Sequence, residues 1–128
     1  GGFLIGPGAD LSYDQLQHQN LSGLNLSGVT LFKADLTGAN LTGANLTGAF
    51  LGGTTLTGAN LTGANLTGAA LGGVNLTNAN LSGAILANAF AEWFCDIQIH
   101  CGYSVAIKGK PLSLPRGWSV VGGKLIIN

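Results

Sequence analysis

Leucine occupies every fifth position without a break from Leu11 to Leu86, sixteen times in succession. A five-residue period suits neither common secondary structure. On an α-helix it rotates successive leucines by roughly 140°, and on a continuous strand it alternates their faces. All sixteen can point inward only if the chain turns a corner in every unit, and a chain that does so is a solenoid. Such a fold is first of all a scaffold, so the pattern constrains shape far more than activity.

The neighbours of each leucine are nearly as regular. Two positions before it stands a small residue, most often alanine, as at Ala34, Ala39, Ala44, Ala59 and Ala64. One position before it stands Asn or Asp, as at Asp35, Asn40, Asn45, Asn60, Asn65 and Asn80; Thr or Ser follows the leucine, and then Gly. The unit reads Ala-Asn-Leu-Thr-Gly. Its apolar residues flank an outward Asn in a three-residue strand pattern, and Thr-Gly supplies the corner. Every fourth unit breaks the Asn rule, at Thr30, Phe50, Ala70 and Phe90, and two of these units carry Gly52-Gly53 and Gly72-Gly73 in place of Thr-Gly. Exceptions spaced by twenty residues predict a coil of four units with one distinct face. At about 4.8 Å per stacked layer, four coils make a prism about 20 Å tall.

The unit holds its register over residues 9–91 and closely resembles the pentapeptide-repeat family, whose signature is Ala-(Asp/Asn)-Leu-x-x. The resemblance implies an all-β fold, a right-handed quadrilateral β-helix of about four regular coils, with each leucine and the preceding small residue inward. Asp14, Gln19 and Leu24 replace the small residue in the first coil, which predicts an irregular or capping coil. The expected organisation is an N-terminal strand or cap over 1–8, the β-helix over 9–91, and a C-terminal β-rich cap or inter-block spacer over 92–128. In the last part, runs at 103–107 and 118–127, separated by Gly109, Pro111 and Pro115, read as strands.

The two ends of the chain echo each other. Gly1-Gly2-Phe3-Leu4-Ile5 returns 121 residues later as Gly122-Gly123-Lys124-Leu125-Ile126. Residues 114–123 also resemble the spacer between blocks of long bacterial pentapeptide-repeat proteins. Both features predict copies arranged head to tail, in one longer polypeptide or as a filament. Phe3, Leu4, Ile5, Trp118, Leu125 and Ile126 are the candidate end contacts.

Enzyme constellations are missing. His18 and His100 stand far apart with no nucleophile and carboxylate at a recognisable spacing. The glycines before Leu11 lack the Lys-Ser/Thr of a phosphate loop, and Cys95, His100 and Cys101 match no standard zinc spacing. No catalytic residue, cofactor or metal is expected. Cys95 and Cys101 either close a short disulfide in an oxidising compartment or remain two thiols. An extracellular or cell-surface setting is favoured over a cytoplasmic one. No apolar run approaches the ~18 residues of a transmembrane helix, so no membrane insertion is expected.

The best-known activity of the family is mimicry of DNA, protecting or inhibiting DNA gyrase. Duplex DNA presents one charge per ~1.7 Å, so a mimic about 20 Å tall needs on the order of ten acids. This chain has five, Asp10, Asp14, Asp35, Glu92 and Asp96, and a net charge of zero. Charge therefore disfavours a gyrase modulator. Nucleic-acid binding fares no better, because four of the five basic residues, Lys108, Lys110, Arg116 and Lys124, lie in the tail.

Two surfaces remain. The stripe of Phe32, Phe50, Ala70 and Phe90 is the candidate interface; alternatively the tail covers it, or its rings turn inward. The ladders Thr37/Thr57/Thr77 and Thr42/Thr62/Ser82, with Asn40, Asn60 and Asn80 beside the second, offer a flat lattice for a partner protein, water or ice. A repeat of this kind produces such ladders whether or not they recognise anything. The expected function is a non-enzymatic structural module for self-association or protein–protein interaction.

Overall fold

Each five-residue unit turns one corner in the computed structural model, which describes residues 5–91 and 103–127. In Leu41-Thr42-Gly43-Ala44 the Ala44 amide donates to the Leu41 carbonyl at 3.0 Å, and Gly43 has φ +65°. A positive φ at the third residue of a four-residue turn marks type II, which explains glycine at this phase. Tyr13, His18, Lys33, Asn78 and Asn88 hold the same phase with φ between 54° and 64°. The left-handed conformation costs roughly 1–2 kcal/mol for residues other than Gly and Asn. The periodic backbone imposes it on them all the same.

Between corners, single residues bridge neighbouring coils. Four columns of parallel bridges run up the molecule: Thr30, Phe50, Ala70 and Phe90 on side 1; Asp35, Thr55 and Asn75 on side 2; Asn40, Asn60 and Asn80 on side 3; Asn45, Asn65 and Ile85 on side 4. Partners are always twenty residues apart, so each coil has four sides.

The unit satisfies all its backbone amides, and this explains the Asn phase. Leu41 donates to the Asn60 carbonyl, Gly43 to Thr62, Ala44 to Leu41, and Asn45 back to Leu24. The fifth amide, that of Thr42, donates to the Asn40 side-chain oxygen at 3.0 Å. The same bond recurs from Thr37 to Asp35, from Thr67 to Asn65 and from Ser82 to Asn80. Several Thr and Ser hydroxyls also donate to that oxygen, as Thr62 does to Asn60 at 2.6 Å. Asn65→Ala removes the acceptor for both the Thr67 amide and hydroxyl. A loss of about 1 kcal/mol is expected, read from a denaturant titration.

All sixteen leucines are buried, and alanines at the small-residue phase pack between them. Thr54 takes that phase once, fully buried, and donates its hydroxyl to the Leu31 carbonyl at 2.6 Å. The first coil departs from its expected irregularity. Gln15, Asn20 and Asn25 bridge Asp35, Asn40 and Asn45 in register, and Leu11, Leu16, Leu21 and Leu26 remain buried. Asp14, Gln19 and Leu24 are tolerated because no layer of the described residues stacks above them; Gln19 and Leu24 are exposed.

The C-terminal part docks on the last coil. β1 (Ala79–Asn80) pairs in parallel with β2 (Tyr103–Lys108), and Ile85 bridges Ser113. Asn80 meets Lys108 and Ile85 meets Ser113, each twenty-eight residues on, so eight residues more than one coil are inserted. The run expected at 118–127 is two strands and not one. β3 (Trp118–Val121) and β4 (Lys124–Ile127) form an antiparallel hairpin around Gly122-Gly123, a dipeptide typical of tight hairpin turns. The sheet order is β1-β2-β4-β3, and Ile107, Leu125 and Ile127 join the leucine core from this cap.

Candidate functional site

Among the described residues of the coils, the outward aromatic rings gather at side 1 and its adjoining corner. The bridge column from Thr30 to Phe90 sets Phe50 and Phe90 two layers apart with Ala70 between them. Phe50 points away from the leucine core and is half-buried, and Phe90 is exposed. Phe32, one residue past its leucine, occupies the adjoining corner. Its ring lies 6.0 Å from that of Phe50, tilted by 30°. Tyr13 meets Phe32 edge-on at 5.7 Å and is 62% exposed, and the Lys33 ammonium sits 5.3 Å from the Phe32 centroid.

Gly52 makes this closure possible. A Cβ there would come within 3.2 Å of both the Phe32 and Phe50 rings. Gly52 and Phe50 are thus one feature: a corner emptied so that rings from two layers can meet. Of the candidate interface residues, the structure brings Phe32 and Phe50 together, buries Ala70, and places Phe90 apart from the stack. Tyr13 and Lys33 join the face although the column rule does not select them. Both stand at the glycine phase, two residues past a leucine, which puts them on the same corner.

On side 2, Asp35 accepts bonds from the Thr37 hydroxyl and backbone amide and from the Gln17 side-chain Nε2 at 2.9 Å. The Thr37 bonds chiefly hold its carboxyl below the ordinary carboxylate value, with Gln17 and nearby His18 adding to the effect. Asp10 is lowered in the same way by Ser12. These bonds cap turns. Among the described residues, no group of three or more His, Cys, Asp or Glu is arranged to hold a metal ion. No described helix is long and apolar enough to cross a membrane.

Of the candidate end contacts, Ile5 is exposed, Trp118 and Ile126 are half-buried, and Leu125 is buried within the chain's own cap. Phe3, Leu4, Cys95 and Cys101 lie outside the described residues.

The model of the Pentapeptide repeats family matches eight copies over residues 9–48 and 39–78, more than half of the chain. The chain belongs to the pentapeptide-repeat family. Membership makes the stacked coils a right-handed β-helix. One solved structure agrees in kind. HetL, a pentapeptide repeat protein of the cyanobacterium Nostoc sp. strain PCC 7120 involved in heterocyst differentiation regulation, is 35% identical over 65% of this chain, with a TM-score of 0.53. The match covers 45% of HetL, so the chain spans less than half of that protein. The pentapeptide repeat protein alr5209 of Nostoc PCC 7120 is 30% identical, covering 81% of this chain and 83% of its own length, at a TM-score of 0.45. A thylakoid-lumen pentapeptide repeat protein of Arabidopsis thaliana is 27% identical, covering 94% and 73%, at 0.40. Comparison with curated proteins gave no match.

Proposed function

We propose that this chain is a non-enzymatic scaffold module that self-associates head to tail. The observation that carries this reading is the open edge of the first coil. In later coils the residue at the Asn phase donates its amide to the coil before, as Asn40 does to Gln19 and Asn45 to Leu24. Among the described residues, nothing bonds the corresponding amides of Gln15, Asn20 and Asn25. An unpaired β edge is a template for another chain. Sedimentation of the purified chain at rising concentration tests the reading: the mean mass should grow, and a particle that stays monomeric into the millimolar range would overturn it.

The end-to-end echo supports a covalent version. β4 follows Gly122-Gly123, and Gly1-Gly2-Phe3-Leu4-Ile5 has the composition to serve as the same strand for a preceding block. The length of the encoded polypeptide decides between a tandem chain and separate copies.

The second reading is a partner protein docked on side 1, favoured by the exposed Tyr13 and the Phe32–Phe50 stack outside a core already filled by leucines. Phe50→Ser should leave the melting temperature within a few degrees, because the ring is outside the core. A large loss of stability would show that the ring supports the fold, and lost association with retained fold would assign the interface to this side.

Recognition of water or ice by the Thr and Asn ladders loses ground on the hydrogen bonds. The hydroxyls of Thr62, Thr67, Thr77 and Ser82 donate to the Asn two residues before each. Those protons serve the turns and not a lattice outside them.

A further inference from the structure

We propose that the ends of this chain dock by charge: the rim of the first coil, bearing Asp10 and Asp14, seats on the C-terminal cap of a second copy, bearing Lys108, Lys110, Arg116 and Lys124. The proposal rests on the self-association reading and specifies its contact surface.

The first coil is open in both hydrogen-bonding senses. Among the described residues, the carbonyls of Gln15, Asn20 and Asn25 also receive no bond, whereas those of Asp35, Asn40 and Asn45 accept from Leu16, Leu21 and Leu26. At the opposite end the sheet finishes on β3, which among the described residues pairs with β4 alone. Each end therefore offers backbone groups that the other can use.

Charge selects which surface can use the first coil. Asp14 stands at the phase that alanine fills in deeper coils, so any layer stacked there covers its carboxylate. Covering a carboxylate without a cation is strongly unfavourable, which blocks a neutral coil and favours a basic one. Residues 5–30 contain Asp10 and Asp14 and no Lys or Arg; residues 103–127 contain four Lys or Arg and no acid. All four basic side chains are exposed. Among the described residues, charge is polar along the axis of this neutral chain, and a second copy brings the complementary end. Because head and tail differ, the contact is heterologous and does not close on itself, so it builds a linear array. An anionic macromolecule at the basic cap would leave the open edge and Asp14 unexplained.

Sedimentation of the full chain and two charge variants tests this. The first variant is Asp10→Asn with Asp14→Lys, in which Asn preserves the turn-capping oxygen as it does at Asn20. The second is Lys108→Glu with Lys110→Glu. Raising salt from about 20 to about 500 mM shortens the Debye length from roughly 20 to 4 Å and should weaken wild-type association at least tenfold. Each variant alone should stay monomeric at low salt with unchanged circular dichroism. An equimolar mixture should associate again, because the unaltered acidic head of the second variant fits the unaltered basic cap of the first. Association that survives high salt and both reversals would overturn charge docking while leaving self-association intact. Wild-type chain that remains monomeric at low salt would overturn both.

Discussion

Replacing Leu61 with Asp should abolish cooperative folding. The side chain is fully buried, in the same inward column as Leu41 and Leu81, with Ala59 and Ala64 in the core on either side along the chain. Asp would lose the leucine's burial, on the order of 1.5–3 kcal/mol, and strand a carboxylate where no cation can reach. Together these exceed about 4 kcal/mol, a large share of the 5–15 kcal/mol typical of a domain. Far-UV circular dichroism should show loss of the β signal at room temperature. Leu61→Ala, which leaves a cavity but no charge, should fold with stability lowered by about 2–5 kcal/mol. A folded Leu61→Asp protein would mean that the core is looser than its burial indicates.

Gly109→Ala should release the C-terminal cap while the coils below remain folded. Gly109 has φ +75°, and a Cβ there would overlap the Ser82 hydroxyl while lying 2.8 Å from the Ser82 amide and 2.9 Å from the Asn80 side-chain oxygen. Asn80 and Ser82 belong to the column that the cap continues, so the clash falls on the docking seam itself. A loss of roughly 2–4 kcal/mol is expected, from conformational strain together with forced separation. Hydrogen exchange localises the effect. The amides of Leu81 and Gly83, which donate to Lys108 and Lys110, should lose protection, whereas that of Leu61 should keep it. Uniform loss over all coils would show instead that cap and prism fold as one cooperative unit.

The prism was legible because one residue type marks every inward position from Leu11 to Leu86. The fourth-unit exceptions gave the twenty-residue coil for the same reason: Thr30, Phe50, Ala70 and Phe90 fall at one phase, and the bridges join those residues. The bond from each Thr to the Asn two residues before it was carried by the spacing, which suits a side-chain-capped turn, yet both residues read as members of an outward ladder. Tyr13 was hidden because it occupies a position where the backbone calls for glycine. Residues 118–127 read as one strand because apolar residues flank Gly122-Gly123 on both sides; that dipeptide was the available sign of a hairpin. Docking of β2 on Asn80 could not be read from the period, since eight inserted residues break it. The four basic residues of the tail were visible in the sequence, whereas their place on the cap, opposite a first coil whose outer edge has no partner among the described residues, was not.

Residue-resolved hydrogen exchange of the amides of Gln15, Asn20 and Asn25, in dilute and in associated protein at low salt, tests head-to-tail stacking most directly. These amides have no partner among the described residues of the single chain. The expected result is fast exchange when dilute and slow exchange on association, with no change at Phe32 and Phe50. Fast exchange at all three in associated protein, with protection appearing at Phe32, would contradict stacking through the first coil and assign the contact to side 1.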